Sequence, residues 1–421
     1  MKKSSRLLAA AVAAFLICAS PAALSAEKRI KLTWLHSYQE AGLAAWADWV
    51  VKKCAELYPD ITISLEKFNS DTVDQMVKTK IASDDPPAIF GGFSTEDYVS
   101  AGYTYDLANA PFISSVSKEA AAGGVLNGVQ YMIPMDTNYY GVFYNKDVFK
   151  KYGISVPKTL DQLYAACEKL KKNGVAPFCA GFGDVWTLQE QFTNIYMPLC
   201  LAGVAGGKPD REWYKNKMNL SSKFAGDAAF KKAFAQLYAL KKYFSADPMA
   251  TDWATARNLM ATGKGAMIAN GSWTIDGVKS INKDANIGVF PMPVSNDPKD
   301  SVLIEQPGSG PFCFHFDDKD KMDATLKVFS VIYSKESGQQ FAKLGNKIST
   351  IKGVDLSFND SFAEINAYVR AGAVFSNAGI QQFDGEFYRI LQTNLQKFLI
   401  KDKLDVDGFI KAMDSDFSAT K

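Results

Sequence analysis

The chain has 421 residues, and its 47 lysines and arginines nearly balance 45 acidic side chains, so no overall charge excess points to nucleic acid or an anionic membrane as partner. Two histidines in all and no Cys-x-x-Cys pair argue against a metal centre, and there is no P-loop, dinucleotide fingerprint or Gly-x-Ser-x-Gly elbow. A single core stops growing near about 250–300 residues, so this length implies two lobes.

Residues 1–26 read as a secretory leader. Lys2, Lys3 and Arg6 form a basic start, and Leu7 to Ala19 is an apolar run shorter than the roughly 20 residues of a bilayer span. Leu24-Ser25-Ala26 offers a small-residue cleavage site before Glu27. Cys18 follows Ile17, where a lipid-attachment motif wants a small residue, so a periplasmic product is expected over a lipoprotein anchored at Cys18. Cleavage removes three cations and leaves 44 basic against 45 acidic residues. The remaining cysteines are Cys54, Cys167, Cys179, Cys200 and Cys313, an odd number. Cys179–Cys200 and Cys167–Cys179 are the nearest pairs for a bridge, while Cys167 sits on an apolar helix stripe and reads as a buried thiol.

Ile30, Leu32 and Trp34 alternate as one face of a half-buried strand. The polar loop HSYQEAG follows, then a helix with Trp46, Trp49, Val50, Cys54 and Leu57 at helical spacing, stopped by Pro59 and Asp60. Ile61, Ile63 and Leu65 predict a second strand, Val73, Met76, Val77 and Ile81 a second helix, and Pro86 to Phe90 a short buried strand. Strand and helix alternating at this spacing predict a parallel sheet with right-handed crossovers.

From Gly128 to Gly153 the chain reads GVQYMIPMDTNYYGVFYNKDVFKKYG. Met132 and Ile133 end a strand at Pro134, Asp136, Thr137 and Asn138 interrupt the apolar run, and Val142, Phe143 and Tyr144 restart it before Asn145 to Asp147 turn into a helix. Thr159 and Gln162 form a capping-box pattern ahead of a helix striped by Leu163, Cys167 and Leu170. GFGDVWTLQEQF places Trp186 in a loop, with helix resuming at Leu188. Another helix carries Phe230, Phe234, Leu237 and Leu240. In WATARNLMATGKGAMIANGSWTIDGV, residues 253–278, a helix ends at Gly263, a strand covers Gly265 to Ala269, and Ser272 is a plausible N-cap for a helix opened by Trp273. Ile287 to Phe290 is a strand stopped by Pro291 and Pro293. Helices are expected from Leu326, from Phe383 to Leu399, and in the closing DVDGFIKAMDSDF.

The segments 128–153 and 253–278 closely resemble the extracellular solute-binding proteins of carbohydrate ABC importers, the maltose-binding type, and most of the mature chain follows that family. The resemblance implies an α/β, type II-like periplasmic-binding fold of two lobes. Each lobe is a mainly parallel sheet flanked by helices, and the chain crosses near residues 136, 295 and 352. Residues 27–136 with 296–352 would form the N-terminal lobe, and 137–295 with 353–421 the C-terminal lobe.

A sugar needs aromatic faces for its C–H surface and polar groups for its hydroxyls, and strand carboxyl ends collect such groups. Trp273 holds the family's recurrent stacking position and is the first candidate. Trp186 is the second, and Trp253 is explained nearly as well by helix burial. The loop after the first strand contributes His36, Tyr38 and Glu40, the alternative being a solvated turn. Phe93 follows the strand at Pro86. Asp136, Asn138 and Tyr139 occupy the crossover, where they would touch ligand or satisfy backbone; Tyr140 reads as structural. Gln306, in a polar stretch with Gly308, Ser309 and Gly310, and Asp384, with Tyr388 nearby, complete the set.

The family binds and releases without catalysis, so no cofactor is expected. The implied partners are a carbohydrate, with the aromatic content pointing to an oligosaccharide, and membrane permease subunits with a cytoplasmic ATPase; the protein itself would be a monomer. Two alternatives stay open: a binding protein for glycerol phosphate, a polyamine or another small polar solute, with Lys264 or Arg257 available to a phosphate, and a secreted carbohydrate-active enzyme with two carboxylates in a cleft.

Overall fold

A computed structural model describes residues 29–36, 38, 41–68, 72–92, 95–116, 118–201, 213, 216–217, 223–377 and 385–420. The first sheet is built from β1 (Ile30–His36), β2 (Ile61–Lys67) and β3 (Ile89–Phe90), all parallel, with β11 (Phe312–Cys313) returning antiparallel beside β3. Its central strand is covered on both faces, as parallel sheets are. Trp34 points to the helix Ala41–Leu57, where its ring meets Trp46 edge-on at 5.6 Å. Leu35 points the other way, into a cluster with Phe90, Tyr98 and Phe312. Trp46 is fully buried, packs on Phe341 and donates its Nε1–H to Ser337 Oγ at 3.0 Å. Full burial of a large apolar side chain contributes about 1.5–3 kcal/mol, so these rings account for the docking of the helices Lys319–Ile332 and Lys335–Gly345 on the same core.

After the hairpin β4 (Val125–Leu126) and β5 (Val129–Gln130), the second sheet forms around β6 (Thr137–Asn145). This strand is antiparallel to β8 (Gly265–Gly271) on one edge, and to β9 (Ile287–Phe290) and β10 (Leu303–Pro307) on the other. β7 (Ala176–Phe178) lies parallel to β8, and β12 (Val374–Ser376) parallel to β10. Every strand but β6 therefore runs one way, so the sheet is mixed: β6 is antiparallel to its three neighbours, and the parallel pairs β7–β8 and β10–β12 lie towards the edges.

The run after β6 anchors the helix Lys146–Lys151. Asn145 Oδ1 accepts the Val148 N–H at 3.0 Å as an N-cap, and its Nδ2 donates to the Met260 carbonyl at 3.1 Å. Lys146 pairs with Glu364, and Asp147 accepts from Asn286 Nδ2 at 3.2 Å. At the next helix, Thr159 Oγ1 accepts from the Gln162 N–H, and Gln162 Oε1 reaches back to the Lys158 N–H, one residue outside the usual capping box.

Three chain segments cross side by side. The Met135 N–H donates to Ser309 O, the Gly308 N–H to Asp136 O, the Thr137 N–H to Ile348 O, and the Thr350 N–H to Met135 O, at 2.8 to 3.0 Å. Beyond residue 295, where a crossing is expected, the chain pairs with β6 again as far as Pro307. Pro291 and Pro293 do end β9, but the chain stays with the second sheet, where Leu303 and Ile304 are fully buried as β10. Residues 303–307, expected in the first lobe, thus pair with β6. Further on, Ile348 and Leu356 pack with the second sheet while Ile351 packs on the first core.

Cys54, Cys167, Cys179, Cys200 and Cys313 are all free thiols, so neither anticipated bridge forms. Burial pushes Cys54, Cys167, Cys179 and Cys200 up to about 12, which leaves them unreactive at neutral pH. Among the described residues no helix is long and apolar enough to cross a membrane. The leader and Cys18 lie outside the described residues.

Candidate functional site

The carboxyl end of β8 organises the site. Asn270 is buried and its Nδ2 donates to the Thr187 carbonyl at 3.4 Å, which sets the helix Val185–Gln191 beside the strand end. Trp273 opens the helix Trp273–Lys279. A Cβ on Gly271 would lie 2.4 Å from the Trp273 ring, so only glycine lets the indole fold back over the strand. Tyr140 stands opposite Gly271 in register and meets Trp273 edge-on at 5.3 Å and 90°.

Trp186 lies on the first turn of its helix and not in a loop, because Asp184 takes the N-cap position. Its ring centroid is 6.4 Å from Trp273 and 5.5 Å from Trp253. Trp253 is the first residue of the helix Trp253–Ala261; its N–H donates to Asp184 Oδ2 at 2.7 Å, and the Arg257 guanidinium lies 5.6 Å over its ring. Three tryptophans on three helix N-termini thus make one wall, with Trp186 37% exposed.

Polar groups border this wall. Glu190 sits one turn beyond Trp186 and so shares its helix face. Glu190 Oε2 accepts from Tyr140 OH at 2.8 Å and from Asn194 Nδ2 at 2.6 Å. Burial pushes the Glu190 carboxyl up, against the downward pull of those two bonds. Burial, then Glu190, Tyr388 and Asp136, hold the Tyr140 phenol well above its ordinary value. The helix widens to a π turn over Phe192–Tyr196; Pro198 would otherwise press on the Asn194 carbonyl four residues back.

On the other side, Asn138 Oδ1 accepts from Ser272 Oγ at 3.5 Å and pairs in register with Gln306. Ser272 does not cap its helix. Its backbone is helical, and its Oγ instead accepts the Tyr139 N–H at 3.4 Å. Gln306 Oε1 and Trp273 Nε1 are buried without a hydrogen-bond partner, a state that costs free energy and calls for a cause. Ring faces suited to C–H surfaces and carboxyl, phenol and amide groups suited to hydroxyls therefore meet at one strand end.

Residues 37–339 match the family described as bacterial extracellular solute-binding proteins. The chain belongs to that family. Among similar proteins are the multiple sugar-binding protein of Streptococcus mutans, 25% identical over 64% of this chain, and the melibiose/raffinose/stachyose-binding protein MelE of Bacillus subtilis, 23% identical over 59%. These matches span 64% and 57% of the relatives' own lengths, a little under two thirds. Among solved structures, RafE from Streptococcus pneumoniae in its apo form has a TM-score of 0.73 at 20% identity, covering 93% of this chain and 98% of that one. A chitin oligosaccharide binding protein has a TM-score of 0.74 at 19% identity, covering 92% and 98%. At such identities the likeness shows the fold, which is the two-lobed one.

In this solute-binding protein Trp273, Trp186, Trp253, Asn138 and Gln306 come together. Tyr139 turns to the opposite face of β6, into the core beside Phe143 and Leu303, with its OH on Glu305 at 3.3 Å; adjacent strand residues face opposite ways, so Tyr140 takes the place expected of it. Asp136 is buried at the crossing, bridged to Ser349, with Oδ1 accepting the Ser309 N–H at 3.2 Å. His36 is buried and stacks on Tyr38 at 4.8 Å, and Tyr38 packs edge-on against Trp34 and Trp46. Both belong to the first core's border. Glu40, Phe93 and Asp384 lie outside the described residues. Glu190, Asn194 and Tyr140 were not anticipated; the i, i+4 spacing of Trp186 and Glu190 is the signal that extending the helix back to Val185 makes visible.

Proposed function

We propose that this protein captures a sugar of oligosaccharide length in the cleft between its lobes and delivers it to the membrane permease of an ABC importer, without chemical change to the sugar. The wall of Trp186, Trp253 and Trp273 carries this reading. Its ring centroids are 5.5 and 6.4 Å apart in succession, so it offers stacking surface to more than one pyranose ring. Glu190, Tyr140, Asn138 and Gln306 would bind hydroxyls, and a first-lobe surface would close over the far side. MelE, named for melibiose, raffinose and stachyose, and RafE, solved with raffinose, support an α-galactoside-like oligosaccharide as the first class to try.

The lobes in this reading are residues 29–136 with 308–354 and residues 137–307 with 355–420. They rotate about the segments at Asp136, at Gly308 and from Ser349 to Leu356. A ligand touching both lobes favours the closed form only by its greater affinity for it.

A thermal-shift screen against mono-, di- and oligosaccharides, glycerol phosphate and polyamines tests the proposal. A ligand at a hundredfold excess over Kd stabilises the fold by about 2.7 kcal/mol. A shift with one oligosaccharide series and none with the corresponding phosphate ester supports the sugar assignment. A shift with glycerol phosphate or a polyamine alone would replace it, and steady release of new reducing ends from a glycan would overturn the transport role.

A further inference from the structure

The near-neutral overall charge conceals a local surplus. The helix Gly385–Leu399 ends in Ile400-Lys401-Asp402-Lys403-Leu404, where Ile400 is 60% and Leu404 46% exposed, two large apolar side chains facing water four residues apart. Lys241 ties a second helix end to this segment, and Lys171 ties a third helix end to Lys242 beside it. Lys241 Nζ donates to the Ile400 and Lys401 carbonyls at 3.0 and 2.6 Å, and Lys171 Nζ donates to the Lys242 carbonyl at 3.1 Å. Lys172 follows in the same last turn, exposed, as are Lys242 and Lys403.

Carboxylates do not cancel this charge. Glu168 faces Lys242 at 3.5 Å and Asp405 faces Lys401 at 2.6 Å, and with Asp402 these are three carboxylates beside the six lysines Lys171, Lys172, Lys241, Lys242, Lys401 and Lys403. Lysines at helix ends also answer the negative end of the helix dipole, which explains Lys171, Lys172 and Lys241 without any partner. Dipole compensation does not explain why Ile400 and Leu404 are left exposed among them. Exposed apolar side chains flanked by Lys401 and Lys403, with Lys241 bonded to the same segment, match one surface chemically, the border of a bilayer rich in anionic headgroups.

We infer that this pole of the second lobe, centred on Ile400 and Leu404, is a peripheral contact surface for an anionic lipid bilayer. Contact of this kind needs no spanning segment. It would hold the protein near the membrane by reversible, salt-sensitive binding, separately from any ligand in the cleft.

Flotation of the purified protein with vesicles tests this. Vesicles of phosphatidylcholine with one-third phosphatidylglycerol should bind it at low salt, and pure phosphatidylcholine vesicles should not. Binding should fade in about 1 M NaCl, where the Debye length is about 3 Å. The substitutions Lys172→Gln and Lys403→Gln should each weaken binding about fivefold. Ile400→Ser with Leu404→Ser should weaken it severalfold, and none of the four should move the thermal unfolding midpoint. Equal binding to neutral and anionic vesicles, or no binding to either, would overturn the inference. So would binding to soluble polyaspartate as tight as to vesicles and indifferent to the serine pair, since that describes a polyanion site without a bilayer.

Discussion

The Gly308 N–H donates to the Asp136 carbonyl at 2.8 Å, and a Cβ on Gly308 would fall 1.8 Å from Asp136 Oδ1. Two of the three interlobe segments therefore touch with no room for a side chain. Gly308→Ala must push the segments apart or rotate the Asp136 carboxylate away from the Ser309 N–H. We expect a loss of about 1–3 kcal/mol, the usual cost of overpacking, with Gly308→Ala/Asp136→Ala recovering part of it. Urea unfolding of the two variants measures both, and full stability in the single variant would show that the crossing yields freely.

Much of this fold was legible because its signals are local. Ile30, Leu32 and Trp34 announce β1 by alternation, and Asn145 announces a helix start by its own cap. What depends on pairing across the chain was not. Tyr139 and Tyr140 are equally aromatic, and only the register of β6 against Gly271 decides which faces Trp273; a one-residue shift reverses the answer. Likewise Pro291 and Pro293 announce the end of a strand, but nothing nearby announces that Leu303 and Ile304 will return to Tyr140. Glu190 stayed hidden for a related reason. Its meaning comes from Tyr140, 50 residues earlier, and from the helix beginning at Val185.

Substitutions in the tryptophan wall should separate binding from folding. Trp186 is the most exposed of the three, so Trp186→Ala should leave the unfolding midpoint nearly unchanged while weakening oligosaccharide binding by about 2 kcal/mol, roughly thirtyfold. Trp273→Ala also removes the edge contact with Tyr140 and should lower both affinity and midpoint. Titration by tryptophan fluorescence and calorimetry distinguishes them. Sugar affinity unchanged in both variants would remove the wall from the site.

The stretch from Tyr144 to Gly153 owes its form to packing. Asn145 caps one helix and ties the buried Met260 carbonyl to the end of β6. Asn145→Ala removes a cap worth about 1 kcal/mol and one of the two bonds on the Met260 carbonyl, which keeps the Gly263 N–H at 3.2 Å, at about 0.5–1.5 kcal/mol more. The variant should therefore unfold at clearly lower denaturant and, once folded, bind sugar with unchanged Kd. A selective loss of affinity with normal stability would instead place Asn145 in the ligand site.

Glu190 should give the protein an acid response with two opposite signs. Burial raises its folded carboxyl above the ordinary 4.5, so between those two values the folded state binds more protons than the unfolded chain. Its contribution therefore favours the empty fold as pH falls through that window and disfavours it as pH rises. Ligand binding should respond the other way, because a sugar hydroxyl donating to Glu190 needs the ionised carboxylate, a charge-assisted bond stronger than a neutral one. Affinity should then decline as pH drops from 7 towards 4.5, while Glu190→Gln lowers it about tenfold or more at neutral pH and flattens the profile. Titration calorimetry across that range reads both. A flat wild-type profile that Glu190→Gln leaves untouched would assign this carboxyl to the wall's own packing with Tyr140 and Asn194.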